Sequence, residues 1–262
     1  MRLLLRGEDS GADSPRSADI RACQALGKKI LLSIGGAADT YAGFKSAAEA
    51  DAFAYKVWNM FGRGWTYYRP FGEAIVDGFD FDIETLPALF YENFAYRLRK
   101  LFEADKTKKY FLTATPQCMS PDKYLETALS RAAFDAIFVQ FYNNPSCAAS
   151  TWKTKGEPQL TNAGFNFGMW NRWVATNSKN KSLKVFLTLP ATSKVAPSGG
   201  YVSRETAAKI IADLARFPTF GGVAIWDASE AEANPGYVAA AKDALNKIPS
   251  GAARRYSFFG LW

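Results

Sequence analysis

The stretch Val-Asp-Gly-Phe-Asp-Phe-Asp-Ile-Glu at residues 76–84 constrains the fold more than any other part of the sequence. From Phe79 onward apolar and acidic residues alternate, which is the period of a β-strand whose two faces meet different surroundings. We predict that the apolar residues fill one face. The carboxylates of Asp80, Asp82 and Glu84 form an acidic row on the other face.

Three carboxylates on one strand face repel each other, so a strand built only for stability would not carry them. Such crowding raises the pKa of at least one carboxyl group, and a carboxyl group that keeps its proton near neutral pH can act as a general acid. Glu84 comes last, at the end of the strand where α/β barrels carry their chemistry. An exposed acidic edge strand or a divalent-metal site would also fit, but Phe and Ile between the acids and the lack of a second acidic cluster favour catalysis.

The spacing Asp77-x-x-Asp80-x-Asp82-x-Glu84 resembles the catalytic signature of family-18 glycoside hydrolases. The neighbouring segments resemble the class III chitinases of fungi and plants, from about residue 18 to about residue 239. This resemblance implies an α/β fold, the (β/α)8 TIM barrel, and hydrolysis of β-1,4 bonds between N-acetylglucosamine units.

Composition limits the chemistry that can accompany the acidic row. The 262 residues include no histidine, which excludes Ser/His/Asp triads, Cys/His dyads and His-ligated zinc. The net charge is +7, but the 32 Lys and Arg residues are scattered, which indicates a solvated basic surface and no nucleic-acid partner. No apolar run is long enough to cross a bilayer, so no membrane partner is expected.

Apolar periodicity predicts strands that alternate with helices along most of the chain. The predicted strands cover residues 28–33, 79–84, 110–115, 136–142, 185–189 and 222–226. The predicted helices cover residues 19–26, 41–63, 86–104, 121–133, 167–176, 203–216 and 237–247. Strands and helices at this spacing form parallel β/α units, and their number points to a (β/α) barrel.

A closed barrel of this type has eight strands, whereas the pattern supplies about six. We therefore predict an incomplete (β/α)8 TIM barrel that lacks the first one or two β/α units, as in an N-terminally truncated family member. The barrel domain is expected to span residues 19–249, between an irregular or disordered arm at residues 1–18 and a tail at residues 250–262. The open edges would lie beside residues 28–33 and 222–226.

Two of the three cysteines, Cys118 and Cys147, follow adjacent predicted strands in contexts that resemble a disulfide of the family. Loops at the ends of neighbouring strands can bring two cysteines within bridging distance, although free buried thiols in a reducing compartment also fit the sequence. Cys23 is left over, because its counterpart in the family pairs with a cysteine near the first strand.

Further residues resemble substrate contacts of the family. Period two places Gln140 and Tyr142 on one strand face, and the matching family segment binds the N-acetyl group with its tyrosine and contacts the sugar with the residues equivalent to Gln140 and Asn143. Trp226 matches the floor of the central sugar subsite, and the Ser33 hydroxyl would face the acidic row. Tyr142 and Trp226 could instead be ordinary core residues, and Ser33 could belong to an ordinary buried strand that precedes a Gly-rich turn. Sugar stacking and ordinary packing are equally open for the aromatic residues Trp65, Tyr67, Tyr68 and Trp152.

The resemblance implies a mechanism that needs neither a metal nor an organic cofactor. The acetamido oxygen of the substrate attacks the anomeric carbon, whereas most retaining glycosidases use a second carboxylate. Glu84 protonates the leaving oxygen and later activates water, Asp82 orients the acetamide, and Tyr142 holds its carbonyl oxygen. Asp80 buffers the charge on Asp82, whereas Asp77 is expected to be structural.

Three functions are compatible with the sequence. The first is an endo-acting, extracellular chitinase that is monomeric if the barrel closes and acts on chitin or N-acetylglucosamine oligomers, although residues 1–6 are too short for a signal peptide. The second is a non-catalytic chitin- or glycan-binding relative, which would usually have lost an acid that this chain retains. The third is an inactive fragment, and an endo-β-N-acetylglucosaminidase is less favoured.

Overall fold

The computed structural model describes residues 15–37, 43–85 and 88–249, and the backbone of residues 257–260. The described residues form two compact units. The first unit holds those up to Ala114 together with Tyr124–Asp135, and the second holds Thr115–Lys123 and those from Ala136 onward.

Helices and strands alternate along the described residues, as the sequence predicts. The helices are α1 (Pro15–Ala25), α2 (Ala47–Phe61), α3 (Tyr91–Ala104), α4 (Glu126–Arg131), α5 (Phe167–Thr176), α6 (Arg204–Leu214), α7 (Ala228–Glu232) and α8 (Tyr237–Asn246). The strands are β1 (Leu31–Gly35), β2 (Gly78–Asp82), β3 (Phe111–Ala114), β4 (Ala136–Gln140), β5 (Lys184–Pro190), β6 (Phe220–Trp226) and β7 (Ser257–Gly260).

In the first unit, β1, β2 and β3 pair in parallel, with Asp80 opposite both Ser33 and Thr113. Aromatic side chains fill the layer between this sheet and its helices. Phe81 stacks on Phe94 of α3 with ring centroids 4.9 Å apart, and Phe94 also contacts Phe53 of α2 at 5.3 Å. Each fully buried Phe side chain stabilises the fold by about 1.5–3 kcal/mol, so this layer fixes β2 on its helices.

In the second unit, β4, β5, β6 and β7 pair in parallel, and Gln140 lies opposite Thr188. One sheet face carries a buried cluster of Phe138, Phe186 and Ala224. On the other face the aromatic ring of Phe167 from α5 packs against Phe220 at 5.7 Å. The strands are therefore apolar on both faces, which is typical of a parallel sheet covered on both sides.

Several helix boundaries differ from the predicted ones. The helix α1 begins at Pro15, four residues before the predicted start, because proline is well suited to a first helical position. The helix α2 begins at Ala47, where the Ser46 hydroxyl accepts a hydrogen bond from the Glu49 amide at 3.2 Å. The other residues of the predicted arm, 1–14, and residues 38–42 and 86–87 lie outside the described part of the chain.

The expectation that the edge of β6 is unpaired was wrong. Residues 257–260, within the predicted tail, form β7, which pairs in parallel with β6 so that Val223 lies opposite Phe258. The run Tyr-Ser-Phe-Phe at 256–259 has the β-propensity for a strand, but no local pattern indicates which strand it pairs with. Within the ranges described above, no helix has the length and apolar character needed to cross a membrane.

Candidate active site

The acidic row lies on β2 and just beyond it. Asp80 is 2% exposed, and its two carboxylate oxygens accept hydrogen bonds from the Ser33 hydroxyl at 2.8 Å and the Thr113 hydroxyl at 2.5 Å. A buried carboxylate persists only when donors replace its hydration, and two neighbouring strands supply them here. Asp80 is therefore fixed in position at the centre of the row.

Glycines bring the neighbouring strand close to the acidic row. A Cβ atom on Gly35 would lie 2.1 Å from the Asp82 carbonyl oxygen, and the Gly36 amide donates to that oxygen at 2.6 Å. Both glycines have positive φ, of 116° and 98°, which other residues rarely adopt. The Gly-Gly turn at the end of β1 thus permits the contact that supports the end of β2.

The predicted alternation of burial is confirmed for the apolar face of the row. Phe79, Phe81 and Ile83 are at most 3% exposed, whereas Asp82 and Glu84 are half-buried. The strand ends at Asp82, two residues before its predicted end, because the pairing with β1 stops where Gly35 turns away. Glu84 therefore stands on the segment that follows the strand.

Asp77, the first acid of the signature, joins three separate segments of the first unit. Its carboxylate accepts hydrogen bonds from the Gln24 side chain at 2.8 Å, the Ile30 amide at 2.9 Å and the Lys108 ammonium group at 3.1 Å. Asp77 is 4% exposed and precedes the N-terminal end of β2. These contacts give Asp77 the structural part that the sequence predicts for it.

The segment from Gln140 to Asn143 is anchored within the second unit. Gln140 is buried, and its side-chain amide donates to the Thr115 carbonyl oxygen at 3.1 Å. Tyr142 is 4% exposed, and a Cβ atom on Gly200 would lie 2.5 Å from its Cα atom. Asn143 has a φ of 57° and accepts a hydrogen bond from the Ser198 amide at 3.1 Å, which fixes the turn after Tyr142.

Trp226 is half-buried at the end of β6, and the peptide bond that follows it is cis. Its carbonyl oxygen accepts a hydrogen bond from the Ala191 amide at 2.7 Å. The next residue, Asp227, caps α7 by accepting from the Ser229 hydroxyl at 2.6 Å and the Glu230 amide at 3.1 Å. These hydrogen bonds lower the pKa of Asp227 below its usual 3.8, and the bond from Ser229 has the largest effect.

The family model described as Glycosyl hydrolases family 18 matches residues 9–205. The chain belongs to glycosyl hydrolase family 18. It is 44% identical to Endochitinase 2 of Coccidioides posadasii over 223 residues, which are 82% of this chain and 25% of that relative. The chain thus spans about a quarter of the length of the curated relatives that it matches first.

Two solved structures of related proteins have the same fold. A chitinase from Ipomoea carnea is 30% identical with a TM-score of 0.71, covering 87% of this chain and 78% of the chitinase. A xylanase-α-amylase inhibitor protein, XAIP-III, is 33% identical with a TM-score of 0.73, covering 88% of this chain and 80% of the inhibitor. The predicted family is confirmed, and so is the predicted α/β fold, a (β/α)8 barrel that is incomplete within the described residues.

The predicted disulfide of this family-18 chain is confirmed. Cys118 and Cys147 are bonded, with their Cα atoms 5.8 Å apart, within the second unit. The Cys118 carbonyl oxygen also accepts hydrogen bonds from the Trp170 indole at 3.0 Å and the Asn166 side chain at 2.8 Å. Cys23 is a half-buried free thiol.

Two buried threonines lie near the predicted site residues and were not predicted from the sequence. Thr113 binds Asp80, and Thr188 on β5 lies opposite Gln140 with a hydroxyl that has no hydrogen-bond partner among the described residues. The feature of the sequence that could have indicated them is the presence of a threonine within a predicted central strand. The strand register, which decides what a threonine faces, follows from tertiary pairing and is not visible in the sequence.

The indole nitrogen of Trp152 donates to the buried Asp213 carboxylate at 3.2 Å, so this side of the ring is occupied by packing within the second unit. In the described ranges, no three His, Cys, Asp or Glu side chains converge as metal ligands.

Proposed function

We propose that this chain is the catalytic region of an endo-acting chitinase that cleaves β-1,4 bonds between N-acetylglucosamine units. The observation that carries the proposal is the acidic row, with Asp80 buried and held by two hydroxyl donors at the centre of the family-18 signature. The 44% identity to a relative named as an endochitinase supports this choice of substrate.

In the first step, Glu84 donates its proton to the glycosidic oxygen, and the bond between that oxygen and the anomeric carbon breaks. The acetamido carbonyl oxygen of the substrate forms a new bond to the anomeric carbon, which gives an oxazolinium ion. Asp82 orients the acetamide and balances the positive charge that develops on it. Tyr142 holds the carbonyl oxygen, and Asp80 buffers the charge on Asp82.

In the second step, the Glu84 carboxylate accepts a proton from water, and the resulting hydroxide attacks the anomeric carbon. The bond to the acetamido oxygen breaks, which restores the acetamide and returns Glu84 to its protonated form. Two inversions at one carbon give net retention of configuration. The protein therefore supplies one acid–base carboxyl group, whereas most retaining glycosidases supply two carboxyl groups.

The proposed substrate contacts are Gln140, Asn143, Trp226 and Ser33. The half-buried indole of Trp226 offers a flat apolar surface for a sugar ring, and Ser33 combines an exposed position with its hydrogen bond to Asp80. The proposed substrates are chitin and N-acetylglucosamine oligomers. We propose that the protein acts outside the cell, where such a polymer is met, and that it acts as a monomer.

The test is hydrolysis of a fluorogenic chitotriose substrate by the 262-residue chain and by Glu84→Gln. We expect turnover by the unaltered chain and a loss of about 10³-fold or more in the variant, because a general acid is removed. Glu232→Gln, at an exposed glutamate of α7, is the matched control and should keep full activity. Chitin binding with no turnover in any variant would overturn the proposal in favour of a non-catalytic glycan-binding protein.

A further inference from the structure

An aromatic loop, residues 62–75, precedes β2 in the first unit. It lies at the N-terminal end of that strand, whereas the acidic row lies toward the C-terminal end. Trp65 is 82% exposed and Tyr67 is 98% exposed, which makes them the most exposed large apolar side chains among the described residues. Aromatic rings at such exposure contribute little to the stability of the fold. Their presence in one short loop therefore indicates a binding surface.

The loop borders an open cavity of about 630 Å³. Both aromatic and charged side chains line its wall. The side chains that matter are Arg63, Trp65, Tyr67, Tyr68, Arg69 and Glu73. A pocket of this size, with apolar surfaces and a few convergent polar groups, is large enough for a small ligand or for a short part of a polymer.

The Arg69 guanidinium group holds the loop in shape. It donates hydrogen bonds to the backbone carbonyl oxygens of Asn59 at 2.6 Å, Gly62 at 2.8 Å, Gly64 at 3.0 Å and Gly72 at 2.9 Å. These acceptors come from both sides of the aromatic residues. Since the backbone is already fixed by these bonds, a ligand would not have to order the loop when it binds.

The loop is remote from the proposed chemistry. The loop leads into the first residue of β2, Gly78, whereas the acidic row continues past the last residue of that strand, Asp82. A strand rises by about 3.3 Å per residue, so the two ends of β2 are about 13 Å apart. In barrels of this type the chemistry lies at the C-terminal ends of the strands, and the aromatic loop lies at the N-terminal end.

We infer that the aromatic loop is a second binding site for the chitin chain, outside the catalytic cleft. The inference rests on the proposed function for the identity of the polymer. Flat aromatic rings suit the C–H faces of pyranose rings, while Arg63 and Glu73 offer partners for hydroxyl and acetamido groups. Ten of the described residues line the cavity, whereas a stable protein interface uses about 20–30 residues on each side, which favours a narrow polymer as the ligand.

The test compares Trp65→Ala/Tyr67→Ala with the unaltered chain, both carrying Glu84→Gln, in depletion binding to insoluble chitin. Loss of two stacking rings should weaken binding by about tenfold. Tyr96→Ala removes an aromatic ring that is 57% exposed on α3 and should bind as the unaltered chain does. Equal melting temperatures show that each variant is folded.

Unchanged chitin binding by the double variant would overturn the inference. Without Glu84→Gln, the double variant should lose activity on insoluble chitin and keep its activity on chitotriose. A parallel loss on chitotriose would place the loop in the catalytic cleft and would also overturn the inference. If the unaltered chain forms dimers and the double variant does not, while both bind chitin equally, the loop is assigned to self-association instead. Binding to chitin that depends on Trp65 and Tyr67 supports the site even if no turnover is found, so the two proposals fail separately.

Discussion

Asp80 shows how the fold keeps a carboxylate inside the sheet. Its carboxylate accepts one hydroxyl donor from β1 and one from β3, and removal of either donor takes away one of these two buried hydrogen bonds. We predict that Thr113→Val, which keeps the side-chain shape, lowers the free energy of unfolding by about 1–3 kcal/mol. Turnover of chitotriose should fall as well, because in the proposed mechanism Asp80 buffers the charge on Asp82. Urea denaturation and steady-state kinetics measure the two effects.

A matched control separates this effect from the general cost of replacing a threonine. Thr127 is exposed on α4, so Thr127→Val should change the free energy of unfolding by less than about 0.5 kcal/mol. A Thr113→Val variant as stable as the unaltered chain would show that the Thr113 hydroxyl does not support Asp80.

Asp227 gives a prediction about pH. Hydrogen bonds from Ser229 and then Glu230 lower its pKa in the folded state below the usual 3.8, so its charge stabilises the fold at neutral pH. That stabilisation is fully present above pH 3.8 and is lost as the pH falls through the lower folded-state pKa. Asp227→Asn should therefore reduce stability by about 0.5–1 kcal/mol at neutral pH, and the difference should shrink in acid.

Melting temperatures from pH 2 to pH 7 test this prediction. Asp243→Asn, at an exposed aspartate of α8, is the control and should follow the unaltered chain. A constant difference between Asp227→Asn and the unaltered chain across the whole range would contradict the assignment to the Asp227 charge.

For single residues, burial that follows from the local pattern could be predicted, whereas contacts that depend on tertiary pairing could not. The alternation at residues 79–83 was enough to predict that Phe79 and Phe81 are buried, because strand period alone decides it. The partners of Asp77 lie 31 to 53 residues away along the chain, and the sequence does not show which of them come together. The roles of Glu84 and Tyr142 in catalysis remain predictions.

At the scale of elements, periodicity predicted the existence of helices better than their ends. The helix α5 has the predicted bounds, Phe167–Thr176. The helix α3 starts at Tyr91, five residues later than predicted, because Phe90 takes a left-handed conformation with φ of 60° that cannot continue a helix. Apolar periodicity does not report such a change in backbone conformation.

The disulfide between Cys118 and Cys147 links two loops of the second unit across a sequence separation of 29 residues. Loop-closure entropy for that length predicts a stabilisation of about 3–4 kcal/mol. Cys118→Ala/Cys147→Ala should lose this amount in urea denaturation, and a reducing agent should destabilise the unaltered chain but not the variant. Cys23→Ala, at the free thiol, should respond to the reducing agent as the unaltered chain does. No response of the unaltered chain to reduction would contradict the prediction.

At the scale of the whole molecule, a strand edge without a partner can promote self-association. The strand β1 pairs with β2, and no other described strand pairs with it. The strand β6 is covered by β7, which apolar periodicity did not predict. An exposed strand edge is a template for pairing with another chain, so β7 is expected to keep the molecule from self-association at one of these edges.

Deletion of residues 250–262 tests the role of β7. The deletion uncovers the backbone donors and acceptors of β6 over the stretch from Gly222 to Ile225, which now pairs with β7. The loss of these hydrogen bonds should lower the free energy of unfolding by about 1–3 kcal/mol, and the open edge should promote self-association at micromolar concentrations. Sedimentation velocity measures the association. A shortened chain that stays monomeric and keeps its stability would show that β7 does not protect β6.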